Sequence, residues 1–189
     1  NNMTIDIIGG AISGNMVGSG TGNGDTVNFT LGGAFTYAST ISAMQSVNLT
    51  SGTLFDGGAI TAGSVNINSG ALAPGLPHAI GTLTITGSLV FASGATYLDT
   101  ISGANASKAA IAGAATLGDA TVQIAGGSTV TGGTKYTILT DTLGGLGVGG
   151  NTFAGNVSYN GDTGTITYDP SGDDVYLTFA QNSNASPSN

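Results

Sequence analysis

Apolar and polar residues alternate along most of this chain, and the alternation repeats. Ser46-Val47-Asn48-Leu49-Thr50-Ser51-Gly52 returns 18 residues later as Ser64-Val65-Asn66-Ile67-Asn68-Ser69-Gly70, and after 18 more as Thr82-Leu83-Thr84-Ile85-Thr86-Gly87. Looser copies stand upstream at Thr26-Val27-Asn28-Phe29-Thr30-Leu31-Gly32 and Thr4-Ile5-Asp6-Ile7-Ile8-Gly9-Gly10. A period of two over four to six residues, closed by glycine, predicts a strand with one buried face. A strand that recurs at this interval cannot bury its apolar row alone, so the repeat predicts an all-β solenoid of stacked coils. The expected inward columns are Val47/Leu49, Val65/Ile67 and Leu83/Ile85. Asn48, Asn66 and Thr84 then form an outward row. Glycine-rich dipeptides at Ser51-Gly52, Gly57-Gly58 and Ser69-Gly70 mark corners, with short strands such as Thr53-Leu54-Phe55 and Ala59-Ile60-Thr61 between them.

Beyond residue 87 the period blurs. Leu89-Val90-Phe91 and Thr96-Tyr97-Leu98 flank a corner at residues 92–95. Residues 102–115 are Ala-rich, which favours a helix on propensity. Two glycines and the lack of an apolar face predict a loop and a thin strand instead. Clear strands follow at Thr121-Val122-Gln123-Ile124, Lys135-Tyr136-Thr137-Ile138-Leu139 and Asn156-Val157-Ser158-Tyr159. Gly164-Thr165-Ile166-Thr167-Tyr168 and Asp174-Val175-Tyr176-Leu177-Thr178-Phe179 are joined by Asp169-Pro170-Ser171-Gly172-Asp173, a turn signal that predicts a closing antiparallel hairpin. The organisation is thus a stalk over 1–87, further strands and a cap over 88–180, and a polar linker over 181–189.

Composition narrows the function. The chain has 189 residues, 34 glycines, 6% charged residues and a net charge of −8, against roughly 25% charged residues in ordinary domains. Arg, Glu, Trp and Cys are absent, and Lys108 and Lys135 are the only basic side chains apart from His78. A chain this poor in cations has nothing to neutralise phosphates, so nucleic acid is excluded as a partner. Without cysteine there is no disulfide or thiol chemistry. No run of about 18 apolar residues is present, and Asn1-Asn2-Met3 opens no signal peptide. The chain reads as a mature product or as a piece of something larger. Regular alternation with 40% apolar residues argues against disorder.

The stretch Ser69-Gly70-Ala71-Leu72-Ala73-Pro74-Gly75, followed by Ile80-Gly81-Thr82-Leu83-Thr84-Ile85-Thr86-Gly87, resembles the C-terminal passenger region of Gram-negative autotransporters (type V secretion). Gly94-Ala95-Thr96-Tyr97-Leu98, Lys135-Tyr136-Thr137-Ile138-Leu139 and Asp173-Asp174-Val175-Tyr176-Leu177-Thr178 fit that pattern in order, over roughly residues 64–182. The resemblance implies a right-handed parallel β-helix ending in an autochaperone segment. It places the chain outside the cell, on the bacterial surface, as a non-enzymatic stalk and folding nucleus that forms part of an adhesin. Its implied partners are a downstream outer-membrane barrel and a host surface or a second copy. The residues the resemblance and the pattern single out for folding are Leu72, Pro74, Gly75, Gly81, Leu83, Ile85, Tyr136, Ile138, Tyr176 and Leu177. The alternative reading is a subunit of a self-assembling extracellular fibre or surface layer, which needs complementary ends.

Chemistry-bearing candidates are few. Gly22-Asn23-Gly24-Asp25-Thr26-Val27 resembles one unit of a calcium-binding nonapeptide, but it occurs once, and such sites need adjacent copies; a plain turn is favoured. Asp173-Asp174 is the only acidic pair, and neighbours on a strand face opposite sides, which disfavours paired-carboxyl hydrolysis. His78, in a Pro-rich corner, reads as exposed and inert rather than as a ligand. The tyrosines of the last third (Tyr136, Tyr159, Tyr168, Tyr176), with Phe179, read as the core of the cap or as a recognition patch. Outward Thr82, Thr84 and Thr86 suggest an ice-binding row only if neighbouring copies continue it, and Asn66 and Asn68 do not. No catalytic residue, cofactor or metal is expected.

Overall fold

The computed structural model describes residues 2–181; residues 182–189, where the polar linker was placed, lie outside the described residues. The described chain is all-β, without a helix. Its strands are β1 (Thr4–Ile7), β2 (Met16–Val17), β3 (Thr26–Tyr37), β4 (Thr40–Asp56), β5 (Ala59–Ile67), β6 (Gly70–Pro74), β7 (Thr82–Phe91), β8 (Ala95–Asp99) and β9 (Ile101–Gly103). They continue with β10 (Asn105–Ala106), β11 (Lys108–Ala112), β12 (Ala115–Thr116), β13 (Thr121–Ile124), β14 (Thr129–Val130), β15 (Lys135–Asp141), β16 (Val157–Tyr159), β17 (Asp162–Tyr168) and β18 (Asp174–Phe179). Fifteen strands form one mixed sheet that curls until it nearly closes on itself, and β9, β10 and β14 form a small second sheet.

The parallel pairings fall into three columns. In the first, Val27 lies beside Val47 and Val47 beside Val65, while Phe29, Leu49 and Ile67 follow one another in the same way. Ile5 and Ile7 extend these two rows at the N-terminal end. In the second column Ile41, Ile60, Ile85 and Ile111 succeed one another. In the third the row is Phe35, Leu54, Leu72, Tyr97 and Val122. β4 enters all three, because the chain bends at Ala43 and Gly52, where φ is +55° and +77°. The alternation changes parity around each bend, and this keeps Ile41, Met44, Val47, Leu49 and Leu54 all pointing into one continuous core. That core runs from Ile7 to Phe179, and β7 passes through residues 87 and 88, where stalk and cap were divided.

One register differs from the 18-residue reading. Val65 and Ile67 are followed by Leu89 and Phe91, not by Leu83 and Ile85. Leu83 and Ile85 are buried as expected but stand in the second column, where Ile85 follows Ile60 and Leu83 lies beside Ala109. The outward row likewise passes from Asn66 to Val90 rather than to Thr84. The cause is the connection over residues 75–81, which lengthens this pass of the chain. Alternation tells which residues face inward; it carries no information about which column a strand joins.

Corners are built from glycine because neighbouring passes approach there too closely for a β-carbon. A Cβ on Gly87 (φ +127°) would lie 1.8 Å from the carbonyl oxygen of Ala62, and one on Gly113 would lie 2.1 Å from that of Gly87. At the next corner a Cβ on Gly70 would lie 2.4 Å from the Gly52 oxygen. The Ala-rich segment holds more strand than the loop and thin strand expected: it contains β10 and β11 and reaches into β9 and β12, with Ala109 and Ile111 of β11 facing inward.

The pairing changes sense at the C-terminal end. β15 runs parallel to β11 on one side and antiparallel to β18 on the other, and β17 and β16 follow antiparallel. The predicted hairpin is present, its turn closed by Gly172 N–H donating to the Asp169 carbonyl at 2.9 Å.

Close stacking at the corners gives the first prediction. Gly87→Ala should destabilise the protein by about 3 kcal/mol or more, because it adds both strain and a backbone clash. Gly94→Ala, at a corner with nothing within 4 Å and no positive φ, should stay within about 0.5 kcal/mol of the parent. Denaturant unfolding of both variants checks this, and equal losses would contradict the close approach.

Candidate functional site

The most interconnected part of the interior lies where the third column meets the C-terminal strands. Tyr97 is placed inward by the alternation Ala95, Tyr97, Asp99 of β8. Its ring meets Phe91 and Phe153 at centroid distances of 6.1 and 5.6 Å, and Phe91 meets Phe153 at 5.9 Å. Its hydroxyl crosses the interior to the second column. There it accepts a hydrogen bond from Ala109 N–H at 3.0 Å and donates one to the Ile138 carbonyl. One side chain thus ties β8 to β11 and β15. Burial, then the nearby Asp99, hold the Tyr97 hydroxyl well above the usual tyrosine range, against the Ala109 N–H that favours its ionised form. It is therefore a proton donor at any ordinary pH. The small side chain of Ala109 leaves room for this approach.

The residues singled out for folding divide by location. Leu72 stands between Leu54 and Tyr97 in the third column. Leu83, Ile85, Ile138 and Leu177 are fully buried, and Tyr136 nearly so. The Tyr136 hydroxyl accepts from Thr131 N–H and donates to the Gly103 carbonyl, both at 2.7 Å. Pro74 is buried at the end of β6. Gly75 and Gly81 close the loop between them by mutual contact, since a Cβ on Gly81 would lie 2.6 Å from the Gly75 α-carbon. The buried Ser107 hydroxyl accepts from Gly81 N–H and fixes that loop. Tyr176 is different. Val175, Leu177 and Phe179 take the inward positions of β18, so Tyr176 faces out. Lys135 Nζ sits 3.5 Å from its ring centre, and its hydroxyl donates to Asp174 at 2.9 Å. Tyr159 and Tyr168 pack against the core from its margin rather than within it. The cap's interior is accordingly aliphatic around Tyr136 and Phe179, not a cluster of all five aromatics.

Two features were not singled out from sequence. Phe153 and Asn151 come from the segment after β15; the Asn151 amide donates to the Ala115 carbonyl and accepts from Leu117 N–H, both at 2.8 Å. An irregular glycine-rich stretch carries no period that would have revealed them. Asp56 and Asp99 are fully buried, and here a signal existed. Leu54 and Tyr97 face inward, so the residues two further along their strands must do so too.

On the outer surface the aligned polar row forms a ladder. Asn66 donates to Asn48, Asn48 to Asn28, and Asn28 to the Asp6 carboxylate, at 2.9, 2.9 and 2.8 Å. Amides aligned head to tail strengthen one another, and the anionic acceptor at one end fixes their direction.

The remaining candidates have local roles. The Asp25 carboxylate accepts from Ser19 N–H, the Ser19 hydroxyl and Met3 N–H. Those bonds, the Ser19 hydroxyl first, hold it below the usual carboxylate range. It organises the loop before β3. Asp173 accepts from the Ser171 hydroxyl at 2.8 Å, and Asp174 from Tyr176. His78 is exposed at φ +60°. Thr82, Thr84 and Thr86 are exposed on β7, but their neighbours are Lys108, Ala110 and Ala112 on one side and Ala59 and Thr61 on the other, so only Thr61 beside Thr86 continues the threonine row. Among the described residues there is neither a ligand-sized pocket nor a group of three potential metal ligands. No protein-family model matches the chain, and no curated protein matches it in sequence.

Tyr97→Phe should keep the ring contacts and leave Ala109 N–H and the Ile138 carbonyl without their partner. Its cost should be about 1–3 kcal/mol, read by denaturant unfolding. Tyr176→Phe, which removes only a surface hydroxyl, should cost less than about 0.5 kcal/mol. The reverse order would contradict the interior role given to Tyr97.

Proposed function

We propose that this chain is a right-handed parallel β-helix serving as the stalk and folding nucleus of a surface-exposed autotransporter passenger. The observation that carries this reading is the asymmetry of the two ends. At the N-terminal end β1 pairs only with β3, which leaves a parallel strand edge for further coils of the same kind. At the other end β18, β17 and β16 turn the pairing antiparallel and cover the edge of β15. A cap of this kind suits a segment that folds first and supports what stacks on it. Tyr136, Phe153 and Phe179 are buried at this end, while Phe29, Phe35 and Tyr37 are buried toward the other, so the asymmetry lies in the pairing and not in the aromatic content.

The role is mechanical and non-enzymatic in this reading, with an adhesive or effector region carried upstream and an outer-membrane barrel downstream as the partner in export. The passenger would stand on the external side of the outer membrane. A self-assembling fibre subunit is the weaker reading. A parallel edge at one end and an antiparallel hairpin at the other do not form a matched pair of surfaces for end-to-end growth.

Hydrogen exchange on two variants tests the direction of support. Leu177→Ala, at a fully buried position, should cost about 2–5 kcal/mol and lower protection as far upstream as β3, β4 and β5. Removal of residues 1–40 should leave β11, β15 and β18 protected. Full protection of the upstream strands in the first variant, or melting of the C-terminal strands in the second, would overturn the folding-nucleus role.

A further inference from the structure

We propose that Asp56 and Asp99 form a pH-responsive device that favours the folded state in mildly acidic surroundings and loosens it in neutral to alkaline ones. Asp56 closes β4 and is flanked in register by Tyr37 of β3 and Pro74 of β6. Asp99 closes β8, beside Ile124 of β13. Both are 0% exposed. Asp56 Oδ1 accepts from Gly58 N–H at 2.8 Å, while its Oδ2 has no hydrogen-bond partner, and neither oxygen of Asp99 has one. The Thr100 backbone N–H only partly offsets the burial of Asp99. Pro74, the strand neighbour of Asp56, has no N–H to offer.

No cation compensates these groups. The chain has no Arg. Lys108 and Lys135 occupy positions adjoining inward Ala109 and Tyr136, and Lys135 is engaged with the ring of Tyr176. The titratable group facing Asp56 is Tyr37, from β3, and the one facing Asp99 is Tyr97, on its own strand. β6 and β13 carry no titratable side chain. His78 stands exposed on the loop after β6, close to Gly127. A buried carboxylate without a cation or donors is far costlier than the neutral acid. Burial accordingly pushes Asp56 up to about 7 and Asp99 well above the usual carboxylate range.

The sign of the effect follows from proton counts. Above a pH of about 4 the unfolded chain has released these protons while the folded chain keeps them, so stability falls as pH rises. The fall from Asp56 ends near pH 7, and Asp99 adds a fall of the same sign. Asp25 works in the opposite sense, because its low folded value makes it favour the fold above about pH 4 and withdraw that support below it. Stability should therefore peak in the mildly acidic range.

The test is thermal unfolding of the full chain between pH 4.5 and 8.5. The midpoint should fall with rising pH, by roughly 5–10 °C in total, and Asp56→Asn should flatten the portion below about pH 7. A second measurement covers the case in which the amide variant folds poorly. The infrared absorption of a protonated, deuterium-sensitive carboxylic acid should be present in the native parent protein at pH 6.5. A midpoint that is flat or rises over this range, or a native spectrum with every carboxyl ionised at pH 6.5, would overturn the proposal.

Discussion

The constraint on which everything else depends is the spacing between parallel strands, about 4.8 Å wherever backbones pair. Each pass of this chain is held to that distance along three columns. Like residues therefore stand on like residues, aliphatic inside and hydroxyl or amide outside. Ile41, Ile60, Ile85 and Ile111 are one consequence, and the ladder from Asn66 to Asp6 is another. The corners meet the same condition with glycine, because carbonyl oxygens of the pass below occupy the space a Cβ would need. High glycine content is thus an aspect of that geometry.

Where parallel strands pair in columns, the last strand of a column leaves an unpaired edge that the chain has to close. The C-terminal end is where the chain departs from pure stacking. Tyr97 links two columns through a buried hydroxyl, and the strand direction reverses at β18. These departures share a cause. The last parallel strand has no successor, and an unpaired edge exposes both polar backbone groups and apolar side chains. Hairpin pairing satisfies the first, and Leu177 and Phe179 cover the second.

Much of this was legible in the sequence. Alternation identified which residues face inward through Val47, Val65 and Leu83, and the Asp169–Asp173 turn announced the closing hairpin. The assignment of Leu83 and Ile85 to a column was not legible, because an alternating strand fits any of the three equally well and the loop over 75–81 shifts the count. Tyr176 was not distinguished from Leu177 for a similar reason: both suit a cap, and parity can be assigned only once one neighbour is placed. Asp56 and Asp99 were legible by parity yet contrary to the usual rule that carboxylates face water. The Phe153 contact arises from an irregular segment whose position is set by tertiary packing alone.

The register around β5 and β7 bears most directly on the stacked architecture, and a chain without cysteine makes it accessible to paired-cysteine crosslinking. Residues 66 and 90 are strand neighbours, within the reach of a disulfide, whereas the uniform 18-residue repeat would instead pair residues 66 and 84. Cysteines placed at 66 and 90 should oxidise readily in the native protein and those at 66 and 84 should not. Efficient bridging of 66 to 84, with none between 66 and 90, would contradict the stacking described here.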